Sequence, residues 1–180
     1  MIFTPTEILY ILITIVAITY IFSSVIKLPC REFNIKKIDT EQIKFAFIIT
    51  APAIILHEMG HKFIAIFMGL EAHYEVWFLG LIIGLILRFL NFGFIFLAPG
   101  YVTFSTSSNL EIILIAGAGP FINLILWLIP YFIIKHKKNL TEKTSLLLVY
   151  TSEINKWLFI FNMIPIPPLD GSKILWPLFS

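Results

Sequence analysis

Of the chain's 180 residues, 58% are hydrophobic and only 13% charged, and its mean hydropathy is +0.92, which excludes a water-soluble domain. The chain reads as an all-α, polytopic integral membrane protein of the cell membrane. A net charge of +2, scattered along the sequence, excludes nucleic acid as a partner, and a lone Cys30 excludes both an intrachain disulfide and a cysteine-rich zinc site.

The first apolar run, Ile8 to Ile26, has no basic region before it and approaches the ~20 residues that cross a bilayer, so it reads as a spanning helix and not as a cleavable leader. A mixed-charge connector, Lys27 to Lys44, leads to the second run, Phe45 to Leu70. Inside that run stands His57-Glu58-Met59-Gly60-His61. On a helix turning about 100° per residue, positions i and i+4 lie about 40° apart, so both imidazoles can grip one Zn²⁺ while Glu58 becomes a candidate general base. Ionisable groups at hydrocarbon depth cost several kcal/mol unless paired or metal-bound, which points to function.

The stretch Glu71 to Ser108 is mixed. Glu71, His73 and Glu75 read as an interfacial polar turn, with metal binding as the alternative. Phe78 to Leu97 is apolar but interrupted by Gly80, Gly84, Arg88, Asn91 and Gly93. It runs into Ala98-Pro99-Gly100-Tyr101-Val102-Thr103-Phe104, where a turn and then a strand are expected. Non-helical backbone at membrane depth needs protein or a water-filled cavity to satisfy it, so this region is expected to be a partly inserted, re-entrant element beside the site, with a fifth spanning helix as the alternative.

Two further spans are expected at Leu110 to Ile134 and Leu146 to Ile164, making about four, with only the basic connector Lys135 to Ser145 between them. In the first half of the last span Glu153 and Lys156 stand at i, i+3 among Thr151, Ser152 and Asn155. A buried neutralising pair is expected, the alternatives being a polar lining for a water path and an interfacial helix start. That helix gives way to Asn162-Met163-Ile164-Pro165-Ile166-Pro167-Pro168-Leu169-Asp170-Gly171. A hydrolytic zinc site requires a third protein ligand and an open position. Asp170, freed from the helix by the prolines and set in a turn by Gly171, is the best candidate.

Three separated motifs now stand together: H-E-x-G-H at His57 to His61, G-P-x-x-N at Gly119 to Asn123, and N-x-x-P-x-P-x-L-D-G at Asn162 to Gly171. In these the chain resembles the site-2 proteases, intramembrane zinc metalloproteases. The likeness runs from about Phe45 to Leu175 and includes a Gly-Tyr-Val strand at Gly100 to Val102. It implies an accessory helix and connector over 1–44 and a metalloprotease core over 45–180. It implies one Zn²⁺ per chain held by His57, His61 and Asp170, with Glu58 activating water, and regulated proteolysis of transmembrane protein substrates within the bilayer. Asn162, Pro165 and Pro167 fall where that family contacts or admits substrate. Asn123 falls where it keeps a polar residue near the catalytic centre, a place that helix-to-helix contact would equally explain.

Water must reach such a site, and a helical substrate must unwind before its peptide bond is open to attack. A strand from Tyr101 to Phe104 could hold the unwound backbone by edge addition, with the breaks at Pro165, Pro167 and Pro168 keeping the opposite wall open. Some family members insert a peptide-binding domain between the second and third motifs. Here only Lys135 to Ser145 lies there, so substrate choice falls to the membrane core or a separate partner. The family's orientation puts the basic connectors outside, against the positive-inside rule. A zinc transporter and a catalytically silent scaffold are the readings from other classes, disfavoured respectively by the lack of a second ligand-rich helix and by the intact Glu58 and ligand set.

Overall fold

The computed structural model describes residues 2–26, 40–90, 99–106 and 108–179. The expectations for Cys30, for most of the Lys27 to Lys44 connector and for the end of the apolar run from Asn91 to Leu97 lie outside the described residues. The architecture is mostly helical with one small sheet: α1 (Pro5–Phe22), α2 (Thr40–Phe67), β1 (Ala72–Val76), α3 (Phe78–Phe89), β2 (Gly100–Phe104), α4 (Asn109–His136), α5 (Glu142–Asn162) and α6 (Asp170–Leu175), followed by a 3₁₀ turn at Trp176–Leu178.

Local chemistry sets the helix ends. Thr4 and Glu7 form a capping box ahead of α1, with Pro5 in its first turn where a missing N–H costs nothing. Ser108 and Thr141 cap α4 and α5 by accepting from the amides of Glu111 and Thr144. Gly69 ends α2 at φ +82°, and the amides of Leu70 and Gly69 return to the carbonyls of Ala65 and Ile66, a closure that a left-handed residue makes possible.

Helices α1, α2 and α4 are long and apolar enough to cross a membrane. The fourth expected span forms as α5, 21 residues long, but its composition does not meet the same measure. The polar turn from Thr151 to Lys156 lowers its hydropathy, and part of that turn faces inward: Ser152 donates to the Trp127 carbonyl of α4, and Asn155 is fully buried. Helix α3, at 12 residues, is only about 18 Å long at 1.5 Å per residue, short of the ~30 Å hydrocarbon core.

Helix α4 packs along both α2 and α5, α1 lies on α2 and β1, and α6 sits against α4. One apolar cluster, including Ile18, Ile54, Met59, Tyr74, Val102 and Ile115, joins α1, α2, α4 and the sheet. The sheet is an antiparallel pair in the register Ala72 to Phe104 through Val76 to Gly100. This bears out a strand at Gly100 to Val102 and corrects the polar turn expected at Glu71, His73 and Glu75. His73 and Glu75 belong to β1, because their neighbours Ala72, Tyr74 and Val76 give a strand alternation that buries one face.

Candidate metal centre

One helical turn of α2 carries His57 and His61, whose Nε2 atoms lie 3.1 Å apart. Asp170 approaches from α6, its Oδ2 lying 3.2 Å from each of them. All three residues are buried, and among the described residues they form the group of His, Cys, Asp and Glu side chains able to hold a metal ion. Three ligand atoms on a tetrahedral zinc, each at ~2.1 Å, would be separated by about 3.4 Å, and the observed triangle is only slightly smaller.

The tautomers strengthen that fit. His61 Nδ1 is 2.7 Å from the Ile115 carbonyl, which can only accept, so His61 carries its proton on Nδ1. His57 Nδ1 is 2.5 Å from Oδ1 of Asn123, and Asn123 is oriented by its own Nδ2, which donates to the Ala53 carbonyl at 2.9 Å and to Oδ1 of Asn155 at 2.8 Å. Asn155 is fixed in turn by donating to the Thr151 carbonyl. In the neutral rings both Nε2 lone pairs then converge with a carboxylate oxygen, an arrangement that a cation satisfies.

The sequence motifs meet here for steric reasons as well. A Cβ on Gly119 would lie about 2.7 Å from His57 Nε2 and closer still to His61, so only glycine lets α4 pass this close to the ligating nitrogens. Asp170 is not loosened from helical structure, as its neighbouring prolines suggested. It opens the six-residue α6, presenting its carboxylate from the first turn. Gly171 has no turn role. A Cβ there would meet the Met163 carbonyl at 2.5 Å and the Ile164 oxygen at 2.6 Å, so its lack of a side chain brings α6 against that backbone.

A cavity of about 1030 Å³ opens beside the centre, lined by His57, Glu58, His61 and Asp170 together with β2, α5 and the turn before α6. Glu58 is buried, faces this cavity, and receives no side-chain hydrogen bond from the described residues. Tyr101 and Asn162 also line it. Tyr101 is partly exposed and donates to Glu75 Oε2 at 3.1 Å, and that hydrogen bond holds its phenol above the usual range, while Asn162 donates to the Leu158 carbonyl of its own helix. Pro167 and Pro168 form part of the wall; Pro165 does not line it.

The Glu153–Lys156 pair forms at 2.6 Å, but Glu153 is half exposed at the cavity wall, so the expectation of a buried pair is corrected. It faces the cavity while Ser152 and Asn155, on the opposite side of the same turn, are the buried members. From the sequence Asn155 was only one member of that polar turn, with no part in the metal centre. Glu71, His73 and Glu75 contribute nothing to the centre, since the three-residue group contains none of them.

No protein-family model matches the chain, and no solved structure matches it significantly. A curated protein of Methanocaldococcus jannaschii, named "Putative zinc metalloprotease", is 35% identical over 183 aligned residues, covering 96% of this chain and 85% of the relative. With that identity over nearly the whole length, and a His57-His61-Asp170 group of zinc-like dimensions, the chain belongs to the family of zinc metalloproteases that the archaeal protein's name describes.

Proposed function

We propose that this metalloprotease works within the membrane, as a site-2-type endopeptidase that hydrolyses a peptide bond in or beside the transmembrane segment of a membrane protein. The observation that carries the reading is the placement of the His57-Glu58-x-x-His61 turn inside α2, a helix apolar enough to cross a bilayer, with Asp170 completing the triangle and a cavity alongside. Helix α5 serves as a fourth crossing: it packs along the spanning α4 and, at 21 residues, reaches about 32 Å. Helix α3 is the re-entrant piece, leading towards the edge strand.

His57, His61 and Asp170 would hold one zinc ion, which when bound supplies Lewis acidity for the attack of water on a carbonyl. The Nδ1–H bonds to Asn123 and the Ile115 carbonyl keep both imidazoles turned towards the centre. Glu58 takes the proton of the attacking water and returns it to the departing amine. The backbone of Gly100 to Phe104 receives the unwound substrate as an added strand, replacing its lost intrahelical hydrogen bonds. Trp77, Tyr101, Trp157 and Phe161 line the cavity and suit apolar substrate side chains. Asn162 and Pro167 border the path to Asp170 from the α5 end, and the bilayer delivers the substrate laterally.

Co-expression with single-pass membrane proteins tests the reading. The native chain cleaves, whereas Glu58→Gln keeps its zinc and loses about 10²–10⁴-fold in rate. Equal cleavage by both forms removes Glu58 from the mechanism. Vectorial Zn²⁺ flux in vesicles without cleavage favours a transporter instead.

A further inference from the structure

The two outer edges of the sheet are in different states. Trp77 N–H donates to the Pro99 carbonyl at 3.0 Å, in line with the strand register, so the alternation of an antiparallel pair turns the backbone groups of Ala72 and Tyr74 away from β2. Two of these four outward groups are already taken. Tyr74 N–H donates to Glu7 Oε1 at 2.8 Å, and the Ala72 carbonyl accepts from Lys62 Nζ at 2.6 Å. Glu7 and Lys62 are themselves ion-paired and buried, at 4% and 1% exposure, and the other Glu7 oxygen accepts from Thr4 N–H.

Tyr74 is gripped at its far end too. Its hydroxyl lies 2.7 Å from Oγ1 of Thr14 on α1, and its ring packs over Gly100 of β2, where a Cβ would come within 2.7 Å of the ring carbon bearing the hydroxyl. The same alternation turns the amides of Gly100, Val102 and Phe104 away from β1, and these residues line the cavity.

We propose that Glu7 and Thr14 of α1, with Lys62 of α2, form a clamp that grips the β1 edge at Ala72 and Tyr74 and fixes the β2 edge in register with the metal centre, making them positioning residues for the peptide bond to be cut. The inference rests on the protease reading and on strand addition at β2. Lys62 directly follows His61, so one turn of α2 carries both a metal ligand and the clamp. A slip of one residue along a strand moves the next peptide bond by about 3.4 Å, enough to present the wrong bond to Glu58. Joining two apolar helices does not require a buried ion pair, whose desolvation is costly. What the pair adds is a partner for two strand backbone groups.

The test uses full-length, zinc-loaded protein in liposomes, comparing native with Glu7→Gln and with the milder Thr14→Val. Amide hydrogen exchange in 72–76 and 100–104 is expected to quicken at least about ten-fold in Glu7→Gln and less in Thr14→Val, with residues 57–61 unchanged and zinc retained. Mass mapping of products is expected to show cleavage spreading to neighbouring bonds, with KM raised more than kcat is lowered. Unchanged exchange in both variants overturns the clamp, and so does faster exchange with the same single bond cut. If Glu7→Gln fails to fold, Thr14→Val decides by the same two measurements. A native protein that cleaves nothing overturns the protease reading, while the exchange measurement still reads the clamp directly.

Discussion

Asn123 uses both ends of its amide on the centre: Oδ1 accepts from His57, and Nδ2 donates to Ala53 and Asn155. Helix-to-helix contact and support of a ligand, two readings the sequence left open, are here one set of bonds, since the residue that orients His57 also joins α2, α4 and α5. Truncation would leave a buried imidazole N–H and the Asn155 oxygen without their partner. Asn123→Ala is therefore expected to lower zinc affinity about 10–100-fold, as measured by competition with a chromophoric chelator, with helical circular dichroism retained. Affinity equal to native would reduce Asn123 to packing.

At the scale of elements, the third ligand depends on how closely α6 lies against the end of α5. Because Gly171 touches the Met163 and Ile164 backbone, Gly171→Ala must push α6 outward and carry Asp170 with it. Zinc affinity is expected to fall as far as in Asp170→Ala, and a titration giving native affinity would show that α6 can shift without moving its carboxylate. The outward turn of α5 behaves differently. Glu153 and Lys156 form an exposed pair at the cavity wall, so Glu153→Ala should change stability by no more than about 1 kcal/mol in thermal unfolding. In a Cys30→Ser background, Glu153→Cys is expected to react readily with a membrane-impermeant thiol reagent through the cavity, and resistance to labelling would show that water does not reach it.

For the molecule as a whole, the count of crossings follows from packing more than from hydropathy. Helices α1, α2 and α4 are apolar enough to span by themselves, while α5 carries a polar turn, of which Ser152 and Asn155 are packed against its neighbours and Glu153 and Lys156 pair at the cavity wall. If α5 crosses beside α4, the four crossings leave both ends of the chain on one side. Protease digestion of sealed vesicles carrying terminal tags is expected to remove both tags or protect both. Removal of only one would leave an odd number of crossings.

The sequence by itself determined the spacing-dependent features. His57 and His61 share a helix face because four residues make about one turn, and the apolar runs became helices because length and hydropathy act locally. The strand at Gly100 was legible from its β-branched and aromatic residues and the preceding Pro-Gly. Tertiary structure alone decided the rest. Asp170 reaches the histidines across more than a hundred residues because Gly119 leaves room for the imidazoles against α4 and Gly171 lets α6 approach the Met163 and Ile164 backbone, a condition set by what lies opposite each glycine. His73 and Glu75 proved to be strand residues because β2 pairs with them, and strand pairing is non-local. The Glu7, Lys62 and Tyr74 network joins α1, α2 and β1, so none of its members stands beside another in the chain to betray it.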